Sequence, residues 1–168
     1  AGTGATVQIP ISAAPADGIL GIDLTVAYDP AVLTVQNVTA SGIANVPPNT
    51  SFAIEYRVST PGILVISEYA LGNALVGSGE IARIEFLVVG APSTTSALTF
   101  TSASINEGEI PVAFDPGLFS ATCAGVTDGT ACTDGDSVCT PTTDTCQSGV
   151  CVGTPISCDD SNPCTADS

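Results

Sequence analysis

The chain has 168 residues, enough for one ordinary domain with a small appendage and too few for two full domains. Seventeen Asp and Glu stand against two basic residues, Arg57 and Arg83, with no Lys or His, for a formal net charge of −15. That balance repels nucleic acid and anionic membrane, and the missing His and Lys remove the bases that most acid–base and nucleophilic catalysis recruits.

From residue 5 to about 121 apolar and polar residues alternate with period two, the signature of half-buried strands. Val7, Ile9 and Ile11 alternate with Thr6, Gln8 and Pro10. Ile22, Leu24, Val26 and Tyr28 then oppose Asp23, Thr25 and Ala27. Further strands are predicted over 32–39, 52–58, 62–69, 80–89, 96–103, 109–114 and 118–122, separated by Gly, Pro, Asn and Ser. Within 80–89, Ile84, Phe86 and Val88 share a face opposite Arg83 and Glu85, as in an antiparallel strand with one wet side. These runs predict an all-β fold: about nine antiparallel strands in a two-sheet sandwich of immunoglobulin or jelly-roll kind, over residues 1–121. No run of about 18 apolar residues is present, so no membrane insertion is expected.

At Thr122-Cys123 the texture changes to Cys, Asp, Gly, Thr and Pro, and residues 122–168 read as a disulfide-stapled repeat segment. Cys132-Thr133-Asp134-Gly135-Asp136-Ser137-Val138-Cys139-Thr140 aligns with Cys158-Asp159-Asp160-Ser161-Asn162-Pro163-Cys164-Thr165, and the sequence stops inside the second copy, so the natural protein is expected to continue. Cys123, Cys132, Cys139, Cys146, Cys151, Cys158 and Cys164 leave eight, six, six, four, six and five residues between neighbours. Zinc sites want closer pairs, whereas disulfides suit a segment too polar to order itself by apolar burial. Such cysteine density places the chain in an oxidising compartment, outside the cell or on its surface. Connectivity is not legible, and with seven thiols one must stay free or pair outside this sequence.

Asp128, Asp134, Asp136, Asp144, Asp159, Asp160 and Asn162 place oxygen ligands in tight Gly-rich turns and are candidate calcium ligands; the same residues also make Asx turns without any ion. The EF-hand spacing is absent. In the sandwich, Asp17, Asp23, Asp29 and Asp115 are further loop carboxylates. Asn37-Val38-Thr39 and Asn49-Thr50-Ser51 match the N-glycosylation sequon, making Asn37 and Asn49 candidate glycan sites, and Thr140-Pro141-Thr142-Thr143 could accept O-linked sugar. Glu55, Glu68, Glu80, Glu85, Glu107 and Glu109 leave two-carboxylate glycoside hydrolysis formally open, but with no Trp and three Tyr to hold a sugar the expectation is a non-enzyme.

Three stretches resemble a known family. Gly18-Ile19-Leu20-Gly21-Ile22-Asp23-Leu24-Thr25-Val26-Ala27-Tyr28-Asp29-Pro30-Ala31-Val32-Leu33-Thr34-Val35-Gln36-Asn37-Val38 resembles the second and third strands of a cohesin domain. Gly79-Glu80-Ile81-Ala82-Arg83-Ile84-Glu85-Phe86-Leu87-Val88 resembles the segment leading into its central strand, and Ala103-Ser104-Ile105-Asn106 through Ile110-Pro111-Val112 its closing strands. The resemblance covers about residues 4–121 and implies a nine-stranded jelly roll that binds a dockerin module on one sheet face, through polar contacts near 32–41 and 62–73. Ser67, Glu68, Tyr69, Asn73 and Asn37 are the residues there that could sit on such a face, although no motif transfers residue by residue. The tail resembles Cys-rich repeats of large secreted proteins of deltaproteobacterial type.

Three functions follow as expectations. The first is a non-catalytic extracellular structural or adhesion module whose sandwich exchanges strands with copies of itself into a fibre or layer, suggested by the strand-rich segment 1–12 and exposed sheet edges. The alternative is a cohesin-type module binding a dockerin-like partner. The third, a polysaccharide enzyme, ranks last.

Overall fold

The computed structural model describes residues 1–45, 52–133 and 144–153. The period-two runs form strands β1 (Thr6–Ala13), β2 (Gly21–Ala27), β3 (Leu33–Ala40), β4 (Phe52–Thr60), β5 (Ile63–Ala70), β6 (Gly79–Val88), β7 (Thr95–Ile105) and β8 (Gly117–Ser120). Turn chemistry fixes the registers between them. Thr60 and Ile63 close the β4–β5 hairpin around Pro61 and Gly62, and Gly62 has φ 87°, the Pro-then-Gly combination of a type II turn.

Two antiparallel sheets result, one with order β1-β6-β3 and the other with order β4-β5-β2-β7-β8. Alternation turns Ile22, Leu24 and Val26 of β2, Leu64 and Ile66 of β5, and Ile84, Phe86 and Val88 of β6 into the space between the sheets, all of them buried. Phe86 lies at the centre, fully buried, its ring meeting Tyr28 edge-on with centroids 5.3 Å apart. The fold is therefore the all-β sandwich expected from the sequence, with eight strands among the described residues, close to the nine expected.

The missing strand is the predicted run over 109–114. It contributes a single bridge, Ile110 to Ile105, and then runs exposed to β8. Asn106, Glu107 and Gly108 all take left-handed φ, which turns the chain off the sheet, and Pro111 has no N–H to continue a ladder. Glu68 is a second departure. The family resemblance offers it for an exposed face, but it shares the inward face of β5 with Leu64 and Ile66, opposite Ile22 and Ile54, and is 2% exposed.

Beyond β8 the chain meets the N-terminal segment and the β6–β7 loop: Thr122 N–H donates to the Ala1 carbonyl, and Thr133 N–H to Ser93 Oγ. Gly2 is buried there, and a Cβ on it would collide with the Ala124 carbonyl and the Val126 side chain. Gly2→Val is expected to pry residues 122–126 from the sandwich. Hydrogen exchange should show amide protection lost at Thr122 and Val126 with β2 and β6 unchanged; unaltered protection at 122–126 would show the contact to be dispensable.

A polar sheet face and a disulfide-centred tail

The strand order brings β5, β2 and β7 side by side, so their outward residues form one surface. Tyr69 pairs with Gly21 and Ala53, Ser67 with Asp23 and Glu55, and Val65 with Thr25 and Arg57. On the other flank Asp23 faces Ser104, and Thr25 faces Ser102. The Ser67 hydroxyl donates to Asp23 Oδ1 at 2.6 Å, tying the two central strands on their wet side. The surface is small-residue and polar through its middle, with Arg57 its one basic residue among the described positions.

Next to this surface the 106–109 turn is clamped. Asn106 Oδ1 accepts from the amides of Leu20 at 2.8 Å and Gly21 at 3.1 Å, while its Nδ2 donates to the Gly18 carbonyl at 2.9 Å. Beneath the surface, burial without a hydrogen-bond partner for Oε1 pushes the Glu68 carboxyl up to about 7.

The three-stranded sheet turns a different surface outward. Arg83 places its fork on Glu80, Nε at 2.7 Å from Oε1 and a second nitrogen at 2.8 Å from Oε2, and Ser41 also donates to that carboxylate. Those contacts, the Arg83 hydrogen bond foremost, hold the Glu80 carboxyl below its ordinary range. Asn37 lies on this sheet, opposite Glu85, with its Oδ1 accepting the Val38 amide.

The expected face near 32–41 and 62–73 therefore divides between two sheets. Ser67 and Tyr69 stand on the five-stranded surface, Asn73 is exposed in the loop after β5, Glu68 points inward, and Asn37 belongs to the opposite sheet. The surface instead gathers Asp23, Thr25, Glu55, Arg57, Ser102 and Ser104. The alternation of β2 already turned Asp23 and Thr25 outward; that β5 and β7 flank them is a tertiary fact.

A family model described as the cohesin domain matches residues 1–110. The chain belongs to the cohesin family. "Cellulose-binding protein A" of Clostridium cellulovorans is 32% identical over 92 residues, a match covering 54% of this chain and 5% of that protein, so this cohesin spans a small part of it. Among solved structures, a non-cellulosomal cohesin from the archaeon Archaeoglobus fulgidus superposes with a TM-score of 0.59 at 24% identity, over 71% of this chain and 83% of that one. The sixth cohesin of scaffoldin B from Acetivibrio cellulolyticus, solved with a Cel5 dockerin, gives 0.58 at 19% identity, over 72% and 92% of the two chains.

The tail of this cohesin orders itself around sulfur. Cys123 bonds to Cys146 and Cys132 to Cys151, with Cα–Cα distances of 5.4 and 5.9 Å. Strands β9 (Ala131–Cys132), β10 (Asp144–Gln147) and β11 (Val150–Val152) form a small sheet across them, and Cys146 is fully buried. The sulfurs of Cys123, Cys132 and Cys151 lie within 4.8 Å of one another, so the two bridges stack into a small core against which Val126 packs.

Of the candidate calcium ligands, Asp128 accepts the Ser148 amide at 2.8 Å, an acceptor role within the tail fold, and Asp144 is buried on β10. Asp134, Asp136, Asp159, Asp160 and Asn162 lie outside the described residues, as do Cys139, Cys158, Cys164, the sequon at Asn49 and residues 140–143. In the sandwich, Asp17, Asp23 and Asp29 accept hydrogen bonds from the Gly77 amide, the Ser67 hydroxyl and the Ala31 amide. Among the described residues no helix is long and apolar enough to cross a membrane.

Proposed function

We propose that this chain is a non-catalytic recognition module that binds a dockerin-like protein on the outward face of its five-stranded sheet, as part of a secreted or surface-attached assembly. The observation that carries the reading is an open polar face, centred on Asp23, Thr25 and Ser67, in a chain of the cohesin family, other members of which have been solved with dockerins bound. The stacked disulfides support an oxidising, extracellular setting.

Strand exchange into a fibre draws less support from three of the four sheet edges, β1, β3 and β8. The Val88 amide bonds to the Ala5 carbonyl, so by the alternation of an antiparallel ladder the even-numbered residues of β1 turn their backbone to the open side. Pro10 is one of them and offers no N–H there. β3 carries a bulge at Gln36, and β8 is four residues long. These are devices that discourage an added strand.

The test is to titrate the full chain with isolated dockerin modules encoded in the same genome, alongside Thr25→Arg. An arginine at the middle of the face is expected to weaken the binding dockerin at least about a hundredfold, the scale of an interface hot spot. Failure of every dockerin to bind the wild-type chain would refute the reading, and concentration-dependent assembly in that same sample would turn it toward self-association.

A further inference from the structure

Three edges of the sandwich carry devices against an added strand, and the fourth, β4, carries none. It is nine residues long, holds no Pro or Lys, and shifts register only beyond Val58. The Tyr28 amide bonds to the Gly62 carbonyl and the Ala70 amide to the Leu20 carbonyl, so the even-numbered residues of β5 turn their backbone to β2 and the odd-numbered ones to β4. The register then commits the odd-numbered residues of β4 to β5: Ala53 with Tyr69, Glu55 with Ser67, and Arg57 with Val65. Among the described residues no ladder partner takes the amides and carbonyls of Ile54, Tyr56 and Val58, which point away from the sheet.

The side chains beside this edge fit a second copy of the same strand. Tyr56 and Val58, on the inward face, are 39% and 44% exposed. The Tyr56 hydroxyl donates to the Gln36 carbonyl at 3.3 Å, which ties the ring to β3 across the mouth of the sandwich. On the outward face stand Glu55 and Arg57, opposite in charge and two residues apart. Among the described residues the one salt bridge is that of Arg83 with Glu80, so Arg57 has no salt-bridge partner within the chain. We infer that two copies of this chain join their five-stranded sheets edge to edge through β4, antiparallel, about a two-fold axis at Tyr56.

In that register Ile54 exchanges hydrogen bonds with Val58 of the other copy, and Tyr56 with Tyr56. Glu55 of each copy meets Arg57 of the other, at positions where opposed Cα atoms stand about 4.5 Å apart and side chains come closest. Moving the axis by one residue sets Glu55 against Glu55 or Arg57 against Arg57, so charge selects the register. The contact occupies β4 on both copies while β1, β3 and β8 resist a further strand, and growth therefore stops at the dimer. The like charge of the copies, −15 each, opposes the contact, so the dimer forms at high protein concentration.

Sedimentation velocity of the full chain, from about 10 µM to about 1 mM, tests the pairing. Wild type is expected to pass from monomer to dimer over that range. Glu55→Arg sets Arg against Arg and Arg57→Glu sets Glu against Glu, so each alone should weaken dimerisation at least about tenfold. An equimolar mixture of the two variants restores both opposite-charge pairs and should recover the dimer. Val58→Pro removes an amide on the open side and none of the β4–β5 ladder, and should abolish the dimer. Circular dichroism checks that each variant is folded, and the charge variants with their mixture keep the test decisive should the proline variant not fold. A wild-type chain still monomeric at the top of the range, a dimer indifferent to both single reversals, or assembly beyond the dimer would overturn the inference.

Discussion

Phe86→Ala is expected to lower the unfolding free energy of the sandwich by about 4 kcal/mol, the usual cost of emptying a large aromatic site in a core that cannot collapse around the void. Phe86 is fully buried on the central strand of the three-stranded sheet, between Val7 of β1 and Val35 of β3, and its ring meets Tyr28 from across the sandwich. Domains of this size are stable by about 5–15 kcal/mol, so the loss takes away a large share of that margin. Urea denaturation followed by circular dichroism measures it, with Phe86→Leu as the milder control at about 1 kcal/mol. A loss below about 1 kcal/mol for the alanine variant would mean that the core is centred elsewhere.

The second large effect is on pH dependence. Burial holds the Glu68 carboxyl near 7 in the folded chain, against 4.5 for its ordinary value, so the fold prefers the neutral acid. Below pH 4.5 the group is protonated folded and unfolded, and its contribution is complete. As pH rises the unfolded chain releases the proton first, so stability is lost across the window from 4.5 to 7 and levels off above it. For a group this buried the loss approaches about 3 kcal/mol. Other carboxylates, in a chain of net charge −15, add their own trend, so the difference between wild type and Glu68→Gln is the quantity to follow. The glutamine variant is expected to match wild type near pH 4 and to exceed it by about 2–3 kcal/mol near pH 8. Parallel stability curves for the two proteins would show that Glu68 is solvated in solution.

Glu68 also shows where a sequence reading goes astray. Leu64, Ile66 and Glu68 share one parity, so the period-two rule by itself turns Glu68 inward, yet a carboxylate reads as a surface residue. Parity won because Ser67 and Tyr69, on either side of it, take the wet face and the strand has no bulge there to shift the phase. The run 109–114 errs the other way. Its alternation of Ile110, Val112 and Phe114 is real, but a strand needs a partner edge, and the turn at 106–108 carries it away from β7.

The proposed dockerin face was half legible. Asp23 and Thr25 were turned outward by the alternation of β2, and Ser67 and Tyr69 fell within the segment that the family resemblance marked. Asn37 joins the same face in the sequence reading because the family resemblance maps contacts near both 32–41 and 62–73. Strand order puts them on opposite sheets, since β3 pairs with β6 and β5 with β2.

What the sequence determined by itself was local. Period-two alternation decided strands rather than helices, and cysteines in a polar segment announced a core made of sulfur. Those properties depend on each residue and its near neighbours along the chain. Adjacency was decided by the tertiary structure: which strands flank β2, and which cysteine meets which. The reason is that ladders and disulfides join residues far apart in sequence, and their pairing is chosen by the arrangement that buries the inward faces of both sheets together.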